Sequence, residues 1–161
     1  MIQMGLRRDV VTETTPTRGH TRNHAQAAEG TASQQVVFVV EDDLSTLDLL
    51  RDVAEECGWK VRGFTRLRDF DAELRVRRPN LVILDDDLPD GRGGDRAREL
   101  GADERLTDVP VLVCTAAHPL RQAEIGAWAP VLSKPFDLRA VERFLRGAAG
   151  RGNGMGQPAA G

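Results

Sequence analysis

The sequence predicts a three-layer α/β domain built on a parallel sheet, and two observations carry that expectation. Leu81-Val82-Ile83-Leu84 and Val36-Val37-Phe38-Val39-Val40 are apolar with no polar alternation, as in strands buried on both faces at the centre of a parallel sheet. Five strand segments of this kind alternate with five segments of helical period along the chain, which calls for βαβ crossovers.

The elements follow in order. The strand Val36–Val40 ends in Glu41-Asp42-Asp43. Leu44, Leu47, Leu50, Val53, Ala54 and Cys57 then recur at helical spacing, and Gly58 stops that helix. A short strand around Val61 and Phe64 comes next, then a helix through Leu67, Phe70 and Leu74 that Pro79 closes. Leu81–Leu84 runs into Asp85-Asp86-Asp87 and then Leu88-Pro89-Asp90-Gly91, which has turn chemistry. A helix is expected from about Asp95 to Leu100, and Pro110–Cys114 is a fourth strand ending at Thr115. A short helix falls within Leu120–Ile125, and Val131-Leu132-Ser133 is a fifth strand ending at Lys134. Leu138, Val141, Phe144 and Leu145 mark the final helix.

These elements bound one domain over residues 35–147. Residues 1–34 have no sustained period and too few apolar spots to offset ordering entropy, so a disordered tail is expected. Residues 148–161 are Gly- and Ala-rich and read as a flexible tail. A hydrophobic content of 40% over 161 residues agrees with a chain that is packed only in part.

Charge and composition narrow the function. A net charge of −3 and a pI near 5.6 give no electrostatic case for nucleic acid or an anionic membrane. Cys57 and Cys114 lie far apart in apolar contexts, with no metal-binding spacing, and read as reduced thiols. No apolar run approaches the roughly 20 residues a membrane span needs. No apolar segment follows Arg7-Arg8 as in a secretory signal, so a cytoplasmic protein is expected.

The residues just past each strand suggest the chemistry. Glu41 and Asp42 follow the first strand, Asp85 the third, Thr115 the fourth and Lys134 the fifth, so one sheet edge receives all of them. Three converging carboxylates repel one another, and Mg²⁺, which takes one or two carboxylates with waters and a phosphate oxygen, relieves that repulsion. Lys134 is one of two lysines among 22 basic residues and supplies a compact ammonium for a phosphate oxygen. A Thr hydroxyl can donate to another. Such a set suits phosphoryl transfer, with Asp85 as the group that forms an aspartyl phosphate. Asp43 is assigned to capping the first helix. His118 reads as a surface residue, and Trp59 and Trp128 as packing residues.

Val-Val-Glu-Asp-Asp, Leu-Asp-x-x-Leu-Pro-Asp-Gly, Pro-Val-Leu-Val-Cys-Thr-Ala and Ser-Lys-Pro-Phe, in this order, resemble the receiver domain of two-component response regulators. The resemblance implies a flavodoxin-like (βα)5 fold with strand order 2-1-3-4-5 and a ligand at the switch point between strands 1 and 3. It also implies that Asp85 takes a phosphoryl group from a sensor histidine kinase or histidine phosphotransfer protein. Glu41, Asp42, the Asp85 carboxylate and the backbone carbonyl of Asp87 would hold Mg²⁺, and Thr115 and Lys134 would contact the phosphoryl group. The Lys134–Pro135 bond is similar to one that is cis in the family.

Two features depart from that pattern. Val131 stands where the family usually carries an aromatic residue, and the stretch from Thr115 to Gly126 is short and contains Pro119, so the fourth helix is expected to be truncated. A stand-alone receiver is expected, monomeric or weakly dimeric, signalling by contact with a downstream protein. One rival is a phosphorylation-independent adaptor with the same fold. The other is a haloacid-dehalogenase-type phosphohydrolase using Asp85-x-Asp87, although its motif order fits poorly.

Overall fold

The computed structural model describes residues 34–152, so residues 1–33 and 153–161, most of both stretches read as tails, lie outside the described residues. The elements are β1 (Val36–Val40), α1 (Leu44–Glu56), β2 (Lys60–Phe64), α2 (Leu67–Leu74), β3 (Leu81–Asp85), β4 (Asp87–Leu88), β5 (Gly91–Arg92), α3 (Gly93–Ala102), β6 (Val111–Thr115), α4 (Pro119–Ile125), β7 (Val131–Ser133) and α5 (Leu138–Gly152). The main sheet runs β2-β1-β3-β6-β7 with every neighbouring pair parallel. The two-residue strands β4 and β5 pair separately as an antiparallel hairpin. With that hairpin set aside, this is the flavodoxin-like order 2-1-3-4-5, which reverses direction between β1 and β3.

Side-chain alternation along the central strands explains why they carry no charged or hydroxyl residue before their last position. Val37 and Val39 of β1, Leu81 and Ile83 of β3, and Leu112 and Cys114 of β6 join the apolar layer beneath α1 and α5. Phe38, Val40, Val82, Leu84 and Val113 join the opposite layer with Phe70, Ala97, Leu100 and Ile125. Both faces of the sheet are therefore covered, as a parallel sheet with crossover helices requires. Phe38, Phe64 and Phe70 meet edge to face in the second layer, with ring centroids 5.3–6.2 Å apart.

Local signals account for both ends of α1 and the start of α4. The Asp43 carboxylate accepts the Thr46 N–H at 2.7 Å and caps α1, as expected. Gly58, at φ +85°, takes the left-handed conformation that closes the same helix. Asp90, in the turn between β4 and β5, accepts the N–H groups of Leu67 and Arg68 at 2.9 and 3.0 Å and so caps α2 from a distance. α4 is short, seven residues opening on Pro119, in agreement with the sequence.

Two boundaries differ from the sequence reading. α3 begins at Gly93 and not near Asp95: Gly93 passes against the Asp85 backbone at the end of β3, and Gly94 against Ile125 and the Asp86 carboxylate, so neither position has room for a side chain. α5 continues to Gly152, beyond the boundary at 147. Ala148 is buried in the core, and the Ala149 carbonyl accepts Gln35 Nε2 at 3.4 Å. Tertiary contact here outweighs the low helix propensity of the glycines.

Candidate functional site

The alternation that fills the two layers also sorts the residues past the strand ends. Glu41 continues the Val37–Val39 face and Asp85 the Leu81–Ile83 face, so both carboxylates emerge on the α1/α5 side of neighbouring strands. Among the described residues, Glu41, Asp42 and Asp85 each offer a carboxylate oxygen, and these atoms all lie within 4.8 Å of one another. Glu41 and Asp85 are buried, while Asp42 is exposed.

Lys134 reaches this group from the end of β7. Its Nζ donates to Glu41 Oε2 at 2.7 Å and lies 3.0 Å from Asp85 Oδ1. The backbone places it there: the Lys134 N–H donates to the Thr115 carbonyl at 2.7 Å, and the Lys134–Pro135 peptide is cis. The β3–β6 register sets Asp85 beside Cys114, and the Asp86 N–H donates to the Cys114 carbonyl at 2.9 Å. Thr115 is buried at the end of β6, where its hydroxyl accepts the Ala117 N–H at 3.0 Å.

Electrostatics at this edge are poised. Burial raises the Glu41 pKa, and the Asp85 charge adds to the rise, against the opposing bond from Lys134. Burial alone would lower the Lys134 pKa, but its bonds to Glu41 and Asp85 outweigh it and raise the value. One ammonium thus stands against three carboxylates, two of them buried. A hard divalent cation fits this donor set, because oxygen ligands of this charge and spacing are what Mg²⁺ takes.

The structure brings Glu41, Asp42, Asp85 and Lys134 together and sets Thr115 on the adjoining strand end. Asp87 does not contribute its carboxylate, which is exposed and accepts Arg92 Nη1 at 2.8 Å. The Asp85-x-Asp87 pattern of a phosphohydrolase therefore has no second carboxylate in the group. His118 is exposed and caps α4, its Nδ1 accepting the Leu120 N–H at 3.4 Å. Trp59 packs in the α1/α5 layer, and Trp128 donates its indole N–H to the Gly94 carbonyl at 2.9 Å.

Asp86 is the residue that sequence reasoning missed. It is 1% exposed and projects to the opposite side from Asp85, where one oxygen accepts the Gly94 N–H at 2.8 Å. Arg121 of α4 holds the same carboxylate through Nη2 and Nε at 3.3 and 3.4 Å. The only sequence signal was the paired glycine at 93–94, which permits the approach.

Comparison with known proteins agrees with this geometry. The family model for the response regulator receiver domain matches residues 37–146. The KDP operon transcriptional regulatory protein KdpE of Escherichia coli is 34% identical over 119 residues, covering 71% of this chain and 51% of that protein. The transcriptional regulatory protein GltR of Pseudomonas aeruginosa is 32% identical over 114 residues, 68% of this chain and 47% of that protein. The polar-differentiation response regulator DivK of Brucella anthropi is 33% identical over 116 residues, 68% of this chain and 89% of that protein. The chain thus spans about half the length of KdpE and GltR, and most of DivK. Among solved structures, the signal receiver domain of a histidine kinase from Syntrophus aciditrophicus superposes with a TM-score of 0.68 at 21% identity, covering 78% of this chain and 97% of that one. The chemotaxis response regulator CheY4 of Vibrio cholerae gives 0.64 at 20% identity, covering 72% and 99%. At these identities the structures speak for the fold alone. The family match over the whole sheet and its strand-end residues makes the chain a member of the response regulator receiver family.

Proposed function

We propose that this domain accepts a phosphoryl group on Asp85 from a phosphohistidine of a sensor kinase or phosphotransfer protein, and signals through a phosphorylation-dependent contact with a downstream protein. The observation that carries this reading is Lys134 Nζ bridging Glu41 and Asp85 beside a third carboxylate. An Asp85 oxygen attacks phosphorus, the phosphorus–nitrogen bond breaks, and the donor imidazole keeps the electron pair and takes up a proton. Lys134 turns from Asp85 to a phosphoryl oxygen, and the Thr115 hydroxyl donates to another. Glu41, Asp42, the Asp85 carboxylate and the Asp87 carbonyl would hold Mg²⁺, which when bound would supply charge neutralisation for phosphoryl transfer. The domain catalyses its own phosphorylation and dephosphorylation and turns over no separate substrate. In this reading it works as a regulator in the bacterial cytoplasm.

The test is intact-protein mass after incubation with Mg²⁺ and a small acyl-phosphate donor, with Asp85→Asn in parallel. One phosphoryl adduct is expected on the wild type, none without Mg²⁺ and none on the variant. No adduct, together with no beryllofluoride complex, would overturn the phosphoacceptor role. The adaptor reading would then stand, and Val131 on β7, which lacks any hydrogen-bonding group, is the feature that favours it.

A further inference from the structure

We infer that the outward faces of α1 and α5 form a self-association surface, on which the acidic stripe of α1 in one protomer lies against the arginine stripe of α5 in its partner. The inference rests on these two helices and not on the phosphoacceptor reading of Asp85.

The two helices cover the same side of the sheet, and each turns one face into the apolar layer beneath. α1 buries Leu47, Leu50, Val53 and Ala54, and α5 buries Val141, Leu145 and Ala148. On the opposite face of α1 stand Asp48, Asp52 and Glu55, all exposed, with Glu56 beside them. On the opposite face of α5 stand Arg139, Arg143 and Arg146, also exposed. The spacing is the same in both, four residues and then three, so each stripe runs about 10 Å along one helix face. Among the described residues, the one ion pair made by these side chains is that of Asp48 with Arg51 on the same helix. α1 and α5 are packed neighbours, yet their stripes do not bond each other within a protomer, because both point away from the sheet.

Each helix follows a strand of one parallel sheet and returns along it, so α1 and α5 run in the same direction. A two-fold partner stacked on this face is related by an axis across the helices or by one along them. An axis across them sets α1 on α1 and α5 on α5, like charge on like. An axis along them sets α1 on the partner's α5, running parallel, so the two equal spacings meet in the same order. Charge therefore selects the second arrangement. The two-fold makes the contact twice, and the face closes as a dimer and does not propagate. Leu44 and Leu49, 65% and 43% exposed, add apolar area on α1 that a partner removes from water. Exposed ion pairs contribute little each and are screened by salt, so the dimer is weak and salt-sensitive.

The test is sedimentation equilibrium of the full chain at about 100 μM, in about 50 mM and about 500 mM sodium chloride. It compares the wild type, an α1-reversed variant (Asp52→Arg/Glu55→Arg), an α5-reversed variant (Arg143→Glu/Arg146→Glu) and an equimolar mixture of the two variants. All the substituted positions are exposed and stand outside the Asp85 site. The wild type is expected to show a reversible dimer whose dissociation constant rises at least about tenfold from low to high salt. Each variant alone sets like charge on like at both contacts and is expected to be monomeric. In the mixture, reversed α1 meets reversed α5 and native α1 meets native α5, so a heterodimer of near wild-type strength is expected. Residues that served only the stability of the fold could not give that rescue. A wild type that stays monomeric in both salts, as when the face serves a different protein, would overturn the proposal. So would variants that pair as the wild type does, a mixture that stays monomeric, or assembly beyond the dimer.

Discussion

Glu41 concentrates the conflict at this site in one side chain. It is 1% exposed, lies beside Asp85 and has Lys134 as its cation. A carboxyl whose pKa is raised on folding favours the folded state while it is protonated. That contribution is complete below pH 4.5, the unfolded value, and is lost as pH rises through the folded one. Glu41→Gln, a neutral side chain of the same shape, is therefore expected to raise the urea midpoint of the metal-free protein at pH 7. The gain should shrink toward pH 4, and a constant gain or a loss at pH 7 would contradict this account. The same substitution should weaken Mg²⁺ binding in a calorimetric titration. Glu41, Asp42, Asp85, Thr115 and Lys134 were readable in the sequence because each stands at or just past the end of an apolar run. Asp86 was not. It stands in the same acidic triplet, but its partner Arg121 is 35 residues away, and no local pattern marks that arginine among the many others.

Whole elements were readable where hydrophobic period and caps agreed. β1, β3, β6 and α1 fall where the apolar runs and Gly58 put them. The start of α3 was not readable, because glycine lowers local helix propensity and the reason for it lies across space. A Cβ on Gly93 would stand 2.0 Å from the Asp85 carbonyl oxygen and 2.8 Å from its carbon, both backbone atoms that cannot swing aside. Gly93→Ala is accordingly expected to cost about 3 kcal/mol of unfolding free energy, through strain between α3 and the end of β3. Urea denaturation checks the magnitude, and a cost near zero would mean that α3 is free to retreat. The hairpin of β4 and β5 was visible as turn chemistry only. Its second task, presenting Asp90 to the amide groups that open α2, depends on a separation of 22–23 residues.

At the scale of the molecule, the parallel sheet and its two covered faces were implicit in the alternation of strand and helix, while the sheet order followed from the family resemblance. The end of the domain was not, because Gly147 to Gly152 resembles a linker by composition. Ala148 packs in the α1/α5 layer and Ala149 receives a bond from Gln35, the residue just before β1. A chain ended after Gly147 should lose about 1–2 kcal/mol relative to one ended after Gly152, from one buried methyl and one hydrogen bond. Equal stabilities would restore the boundary read from composition.

The bond between Lys134 and Glu41 joins residues 93 positions apart, across β1, β3, β6 and β7. β7 is three residues long and meets β6 through Val113–Val131, Cys114–Leu132 and Thr115–Ser133. During synthesis all three carboxylates leave the ribosome well before the one cation that balances them, and that cation arrives only when this short edge strand docks in register. A nascent or partly folded chain therefore carries an acidic edge without its ammonium. If Asp85 is the phosphoacceptor proposed above, the acceptor is complete only once β7 has docked.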